Sequence, residues 1–302
     1  MAKELLSPIL IAGPTAGGKS AVAMRLATEF GGTIVNADSM QVYAELRELT
    51  ARPSAEDEAA ADHALYGFQP AAQGYSVGQW LEDVAREIAA VRGRGSVPII
   101  TGGTGLYFKA LLEGLAPVPE IPVPVREYWR GEAKERDSHL LHGELARRDP
   151  DMARQIKPED TQRIVRALEV IDGTGRSLGH WQSLPVSPIL DASAVRKYVV
   201  APARETLYAR IDVRVDHMLA RGALEEVAAL KALALDPGLP AMRALGMSML
   251  MAHLNGTIDL EEAATGFKTE TRQYAKRQLT WLRSNMVLWD WIDKQYMESI
   301  LP

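Results

Sequence analysis

The segment Gly13-Pro14-Thr15-Ala16-Gly17-Gly18-Lys19-Ser20 constrains the fold more than any other part of this chain. It fits the pattern G-x-x-x-x-G-K-[ST], in which successive backbone N–H groups and the first turn of a helix form a cavity for phosphate oxygens. Such a cavity needs a strand entering the loop and a helix leaving it. Both are legible: Ile9 to Ala12 is a short apolar run, and Ala21, Val22, Met24, Leu26 and Ala27 recur at helical spacing. Lys19 supplies a mobile positive charge and the Ser20 hydroxyl a ligand for Mg2+. The loop implies a bound phosphate or diphosphate. It leaves open whether that group is transferred, hydrolysed or lost as a leaving group, and the phosphates of ATP satisfy the same pattern.

Two more strand-to-loop transitions follow. Residues 33–37 read as a strand ending at Asp38, and residues 97–101 as another, ending in Gly102-Gly103-Thr104-Gly105 before an apolar run over 106–115. Helices between strands predict an α/β fold, a P-loop-type core with a mainly parallel sheet flanked by helices, whose ligands collect at the carboxyl ends of the strands. Asp38 and Thr104 would both stand on that rim. Residues 44–72 are acidic and alanine-rich with weak periodicity, part helix and part loop, whereas Val77, Leu81, Val84, Ile88 and Val91 mark one helical face.

Four prolines, Pro117, Pro119, Pro122 and Pro124, stiffen the next stretch and predict a domain edge. Residues 126–180 are helical and charged without a clear strand, and a strand returns at Arg196 to Val200. The expected organisation is therefore a first part of the core over 1–118, a mostly helical insertion over 119–190, and a core return strand with C-terminal helices over 191–302. Leu207, Ile211, Val215 and Leu219 form one apolar stripe there, and a second helix over 223–235 is closed by Asp236-Pro237-Gly238.

Composition narrows the chemistry. No cysteine is present among 302 residues, which excludes disulfides, thiolate-bound metals and a cysteine nucleophile. The six histidines show no metal spacing. No apolar run nears the roughly 20 residues that cross a bilayer, and the run after residue 7 is too short for a signal peptide. A cytoplasmic protein off the membrane is expected. A formal charge of −5 argues against indiscriminate coating of nucleic acid, so any RNA contact must be a local patch.

Several residues could carry chemistry. Asp38, in Asn36-Ala37-Asp38-Ser39-Met40-Gln41-Val42-Tyr43, either accepts a proton or holds magnesium, or else caps a following helix, while Ser39 and Gln41 suit a nucleobase edge. Thr104 offers a hydroxyl in a glycine-flanked loop. Arg210 and Arg214, four apart, form either a diphosphate clamp or solvated charges balanced by Asp212 and Asp216. Arg163 and Arg166 share one side of a helix capped by Asp160. Lys268, Arg272, Lys276, Arg277 and Arg283 interleave with Tyr274 and Trp281, a combination that fits a polynucleotide backbone.

Taken in order, GPTAGGKS, NADSMQVY, ITGGTGLYFKALLEGL, DTQRIVRALEV, LYARIDVRVDHML and ETRQYAKRQLTWLR closely resemble the tRNA dimethylallyltransferase family over nearly the whole chain. The resemblance implies transfer of a dimethylallyl group from dimethylallyl diphosphate to N6 of adenosine 37, beside the anticodon. The loop Gly13 to Ser20 would hold the diphosphate leaving group. Asp38 would take a proton from the adenine amine or orient it, Thr104 would contact the bridging oxygen, and Lys19, Arg210 and Mg2+ near Ser20 would take up charge. The tRNA anticodon stem-loop would meet Asp38, Ser39, Met40, Gln41, Thr104, Arg126, Gln162, Arg163, Ile164, Val165, Arg166 and Arg243, and a monomer is expected. Two strings depart from the family pattern: Leu49-Thr50-Ala51-Arg52-Pro53 lacks the usual leading glycine, and Leu245-Gly246-Met247-Ser248 stands where Val-Gly-Tyr-Arg is usual. A P-loop kinase, an enzyme prenylating free adenine nucleotides and a noncatalytic RNA-binding module share parts of the pattern.

Overall fold

The computed structural model of the protein describes residues 7–292. Residues 1–6, on which part of the expectation about a leader rests, and residues 293–302 lie outside the described residues. In chain order the elements are β1 (Ile9–Ala12), α1 (Lys19–Phe30), β2 (Gly32–Asn36), α2 (Ala55–Ala60), β3 (His63–Ala64), α3 (Val77–Gly93), β4 (Val97–Gly102) and α4 (Gly105–Glu113). Then come the helices α5 (Val123–Glu135), α6 (Ser138–Arg148), α7 (Pro150–Gln155), α8 (Thr161–Thr174) and α9 (Leu178–Gln182). The chain returns through β5 (Arg196–Val200), α10 (Arg204–Ala220), α11 (Ala223–Ala232), a 3-10 turn (Pro240–Arg243), α12 (Met247–Leu254), α13 (Leu260–Asn285) and β6 (Asp290–Ile292).

The strands form one sheet in the order β3-β2-β4-β1-β5-β6, every pair parallel. Its central strands are buried on both faces, which is why ILIA, TIVN and PIIT are near-continuous apolar runs without alternation. The register sets Ala12 beside Gly102 and Asn36 beside Thr101, so β1, β2 and β4 end side by side. The phosphate loop, Asp38 and Thr104 therefore leave the sheet along one rim. The α/β class and the all-helical stretch agree with the sequence-based expectation.

Helix α3 starts at a reciprocal capping box between Ser76 and Gln79 and buries Trp80 along with Leu81, Val84, Ile88 and Val91. Trp80 stacks on Tyr107 with centroids 4.2 Å apart and donates its indole N–H to the Asn36 carbonyl at 2.9 Å. That bond fixes the end of β2 immediately before Asp38. The short strands β3 and β6 were not legible, since two and three residues cannot display a period. Between Asn285 and Ile292 the chain adds β6 to the sheet edge beside β5.

The described residues divide into two compact units, one comprising residues 7–112 and 189–292, the other Glu113–Pro188. The helical unit has its own core of Trp129, Leu141, Leu145, Met152, Ile164 and Leu168. Among the described residues no helix is long and apolar enough to cross a membrane.

Candidate active site

The phosphate loop is shaped by its backbone. Gly17 N–H donates to the Pro14 carbonyl at 3.1 Å, and Gly18 adopts φ 101°, a left-handed conformation that favours glycine, as it opens α1. Gly18 brings no side chain to cap the helix, so the first-turn N–H groups remain available to an anion and the helix dipole favours one there. Lys19 folds back over the loop, its Nζ donating to the Pro14 carbonyl at 2.7 Å. Burial lowers the Lys19 pKa to about 8, with the negative charge of Asp38 raising it and Arg214 lowering it further.

Asp38 does not cap a helix, because none begins before α2; it closes a tight turn. Its Oδ1 accepts the Met40 N–H at 3.0 Å. Asn36 pins it from both sides, Oδ1 accepting the Asp38 N–H at 2.8 Å and Nδ2 donating to the Asp38 carbonyl at 2.9 Å. The phenols of Tyr66, Tyr107 and Tyr274 are all held above their ordinary range, first by burial and then by the Asp38 charge. The Asp38 carboxylate thus acts on three buried phenols and on the cations of Lys19 and Arg214. Thr104 is joined to the same turn: its Oγ1 accepts the Ser39 N–H at 2.9 Å and donates to Ser39 Oγ at 3.3 Å.

Helix α10 delivers the arginines. Arg210 Nη1 donates to the Gly17 carbonyl at 3.4 Å, at the lip of the phosphate loop. Arg214, one turn on, donates to the Ala51 carbonyl at 3.5 Å, and burial holds its guanidinium below the usual range against the opposing pull of Asp38. Asp212 and Asp216 do not balance these arginines; Arg272 and Lys268 of α13 engage them, each at 2.6 Å. The charge acting on Arg214 is thus that of Asp38 and not those of its neighbours in α10.

A cavity of about 300 Å³ opens beside Asp38, lined by apolar Met40, Leu49, Ile211, Val215, Met218, Leu245 and Phe267 and by polar Thr15, Arg214, Arg243, Tyr274 and Arg277. Arg243 lies in the 3-10 turn, donating to the Gly238 carbonyl at 3.3 Å. The sequence reading of Gln41 as a free base-recognition group is corrected in part. Its Nε2 is engaged by the Thr50 and Ala51 carbonyls at 3.0 and 2.9 Å. The departing string at Leu49 is held from α11, where the Glu226 carboxylate accepts the N–H groups of Arg47, Glu48 and Leu49 at 2.9, 2.7 and 2.9 Å. In the second departure, Met247 is core and Ser248 donates to Glu270 at 3.0 Å.

In the helical unit Asp160 caps α8 through the Arg163 N–H at 3.2 Å. Gln162, Arg163 and Arg166 are exposed on this helix. Arg163 lies 3.4 Å from Asp160, and Arg166 lies 3.4 Å from Glu169, a buried carboxylate that also takes Arg130. Arg126 faces Glu120 at 3.9 Å. Val165 is half-buried, and Ile164 is fully buried in the unit's core, so its side chain supports the helix and offers no surface to a partner. This corrects the expectation of an RNA contact by that side chain.

Sequence reasoning missed Gln278. Its Oε1 accepts the Thr15 N–H and its Nε2 donates to the Gly103 carbonyl, both at 2.9 Å. The signal was present: Phe267, Thr271, Ala275, Gln278 and Leu282 are the buried stripe of α13, and a glutamine on such a stripe needs partners.

A glycine loop feeding a helix N-terminus, with a carboxylate and a hydroxyl on neighbouring strand ends, places the chain among α/β proteins with a parallel sheet and a glycine-rich loop of the phosphate-binding pattern. A sequence model described as IPP transferase matches residues 41–285 and one described as isopentenyl transferase matches residues 7–66, so the chain belongs to the IPP transferase family. It is 50% identical to a tRNA dimethylallyltransferase of Parvibaculum lavamentivorans, covering 99% of this chain and 95% of that one. It is 52% identical to one from a Bradyrhizobium species, covering 94% and 93%. Among solved structures, a eukaryotic dimethylallyltransferase acting on tRNA superposes with TM-score 0.80 at 27% identity, covering 95% of this chain and 73% of that one. The full-length tRNA isopentenylpyrophosphate transferase of Bacillus halodurans gives TM-score 0.69 at 29% identity, covering 98% and 94%.

Proposed function

We propose that this protein transfers a dimethylallyl group from dimethylallyl diphosphate to N6 of adenosine 37 in tRNA, releasing diphosphate. The observation that carries the reading is the junction of Asp38 and Thr104 through Ser39, on the same sheet rim as the phosphate loop and beside a largely apolar cavity. The exocyclic amine of adenine is a weak nucleophile, so the rate must come from alignment, charge stabilisation and exclusion of water.

In the proposed step the N6 lone pair forms a bond to the allylic C1 carbon as the bond from C1 to the diphosphate oxygen breaks. The N6 proton passes to the Asp38 carboxylate. The loop N–H groups, Lys19 and Arg210 take up the charge of the departing diphosphate, and the Thr104 hydroxyl turns from Ser39 to the bridging oxygen. Met40, Ile211 and Met218 shield the allylic group from water. Among the described residues no three His, Asp or Glu side chains gather to hold a metal. The Ser20 hydroxyl would hold Mg2+, which would supply neutralisation of charge on the leaving group.

Two outcomes follow for binding. With the Lys19 pKa near 8, affinity for dimethylallyl diphosphate is greatest below that pH and falls about tenfold between pH 7 and pH 9, because the ammonium is lost as pH rises. Titration calorimetry across that range checks the slope; a flat profile would mean that Lys19 keeps its proton throughout it. Replacing Arg163 and Arg166 together by alanine weakens tRNA binding and reduces the slope of log affinity against log salt by about 1–2. An unchanged slope would place α8 away from the RNA backbone.

The reaction is tested by supplying Mg2+ with either dimethylallyl diphosphate plus unmodified tRNA, or ATP plus small acceptors. Prenylated tRNA and released diphosphate are expected. A phosphorylated small product without prenylated RNA would overturn the reading, and equal use of AMP and an anticodon stem-loop would shift it to a nucleotide prenyltransferase.

A further inference from the structure

The phosphate loop and the 102–105 loop follow adjacent parallel strands, and the ladder holds them together only as far as Ala12 and Gly102. Beyond that point the loop tips have no ladder between them. The side chain of Gln278 fills this role. Almost fully buried, it reaches from α13 to bond Thr15 N–H in one loop and the Gly103 carbonyl in the other, each at 2.9 Å. The contact is close on all sides: a Cβ at Gly103 would stand 2.4 Å from Gln278 Nε2 and 3.2 Å from Asp38 Oδ2. One turn further along α13, the Trp281 ring would lie 2.2 Å from a Cβ at Gly105, so the same helix face presses on both ends of Thr104. The primary amide accepts from one loop and donates to the other without bringing charge beside a diphosphate.

We propose that Gln278 is a positioning residue that fixes the spacing between the phosphate loop and the Thr104 loop, and so aligns the leaving diphosphate between the donors of the two. The inference deepens the proposed prenyl transfer and rests on it for its kinetic readout. Gln278 has its hydrogen-bonding ends on protein groups, so it acts through Thr15 and Gly103 rather than on substrate.

Gln278→Met keeps the volume and removes both hydrogen bonds. At saturating donor and with enzyme in excess, its single-turnover rate constant is expected to be about 10- to 100-fold lower, the cost of a small misalignment of reacting groups. The KM for tRNA should stay near the parent value. The variant should also bind inorganic diphosphate in the presence of Mg2+ about tenfold more weakly. A merely structural role would lower the thermal midpoint and the reaction amplitude but leave the rate constant of the folded molecules unchanged. An unchanged rate constant, or unchanged diphosphate affinity, overturns the proposal. Should the parent protein itself form no prenylated RNA, the proposed reaction fails, and diphosphate affinity alone decides whether Gln278 sets the loop spacing.

Discussion

Asp38→Asn should lower the single-turnover rate of prenyl transfer by about a thousandfold, within the range general-base catalysis supplies, while tRNA affinity changes less than about threefold. Asparagine preserves the shape of the turn. Its Oδ1 can still accept the Met40 N–H that Asp38 accepts, and Asn36 still holds the backbone on both sides. What disappears is the proton acceptor, together with the one negative charge that opposes the effects of burial on Lys19 and Arg214. Lys19 should then lose its proton at lower pH still, so the donor affinity of the variant should begin to fall at a lower pH than in the parent. A rate loss below about tenfold would mean that N6 sheds its proton elsewhere.

Lys19→Met is the second large effect. The substitution keeps the stem of the side chain and removes the charge that leans over the loop from the start of α1. Loss of one preorganised donor to a developing anion typically costs about 100- to 1000-fold in rate, and that loss is expected here in single turnover. It should also abolish the decline in donor affinity between pH 7 and pH 9. A variant that keeps the parent's pH dependence would assign that titration to another group. Arg210 at the Gly17 carbonyl would carry part of the remaining charge stabilisation, so a residual rate above background is consistent with the account.

The sequence disclosed the rim before the cavity. Gly13 to Ser20, Asp38 and Thr104 each end an apolar run, and a parallel sheet must bring such ends to one edge, so local pattern and chain topology sufficed. Arg214 and Gln278 were less legible because their meaning depends on tertiary partners. Asp212 and Asp216 stand next to the arginines in sequence, yet α13 draws them away with Arg272 and Lys268. Gln278 makes its contacts across 263 and 175 residues of chain, a separation that periodicity cannot convey. In the opposite direction, a block that resembles an RNA-contacting segment reads as five equivalent residues, Gln162 to Arg166. Helical geometry divides them, turning Ile164 into the core and leaving Gln162, Arg163 and Arg166 outward.

The departures from the family pattern also gain physical content. Leu49, in place of the usual glycine, is a buried apolar residue whose N–H is taken by Glu226, and its side chain lines the cavity. Ser248, where an arginine is usual, is tied to Glu270, so that position offers no cation to an RNA phosphate. Neither change touches the phosphate loop, Asp38 or Thr104. Leu49 and Leu245 shape the cavity, and Ser248 lies outside its lining.

The central claim is decided by mass analysis of adenosine 37 in unmodified tRNA after incubation with the protein, Mg2+ and dimethylallyl diphosphate. The account predicts one dimethylallyl group on N6 of that nucleoside, one diphosphate released per group transferred, and neither product with Asp38→Asn on the same timescale. Unmodified adenosine 37 in the presence of bound tRNA and bound donor would contradict it.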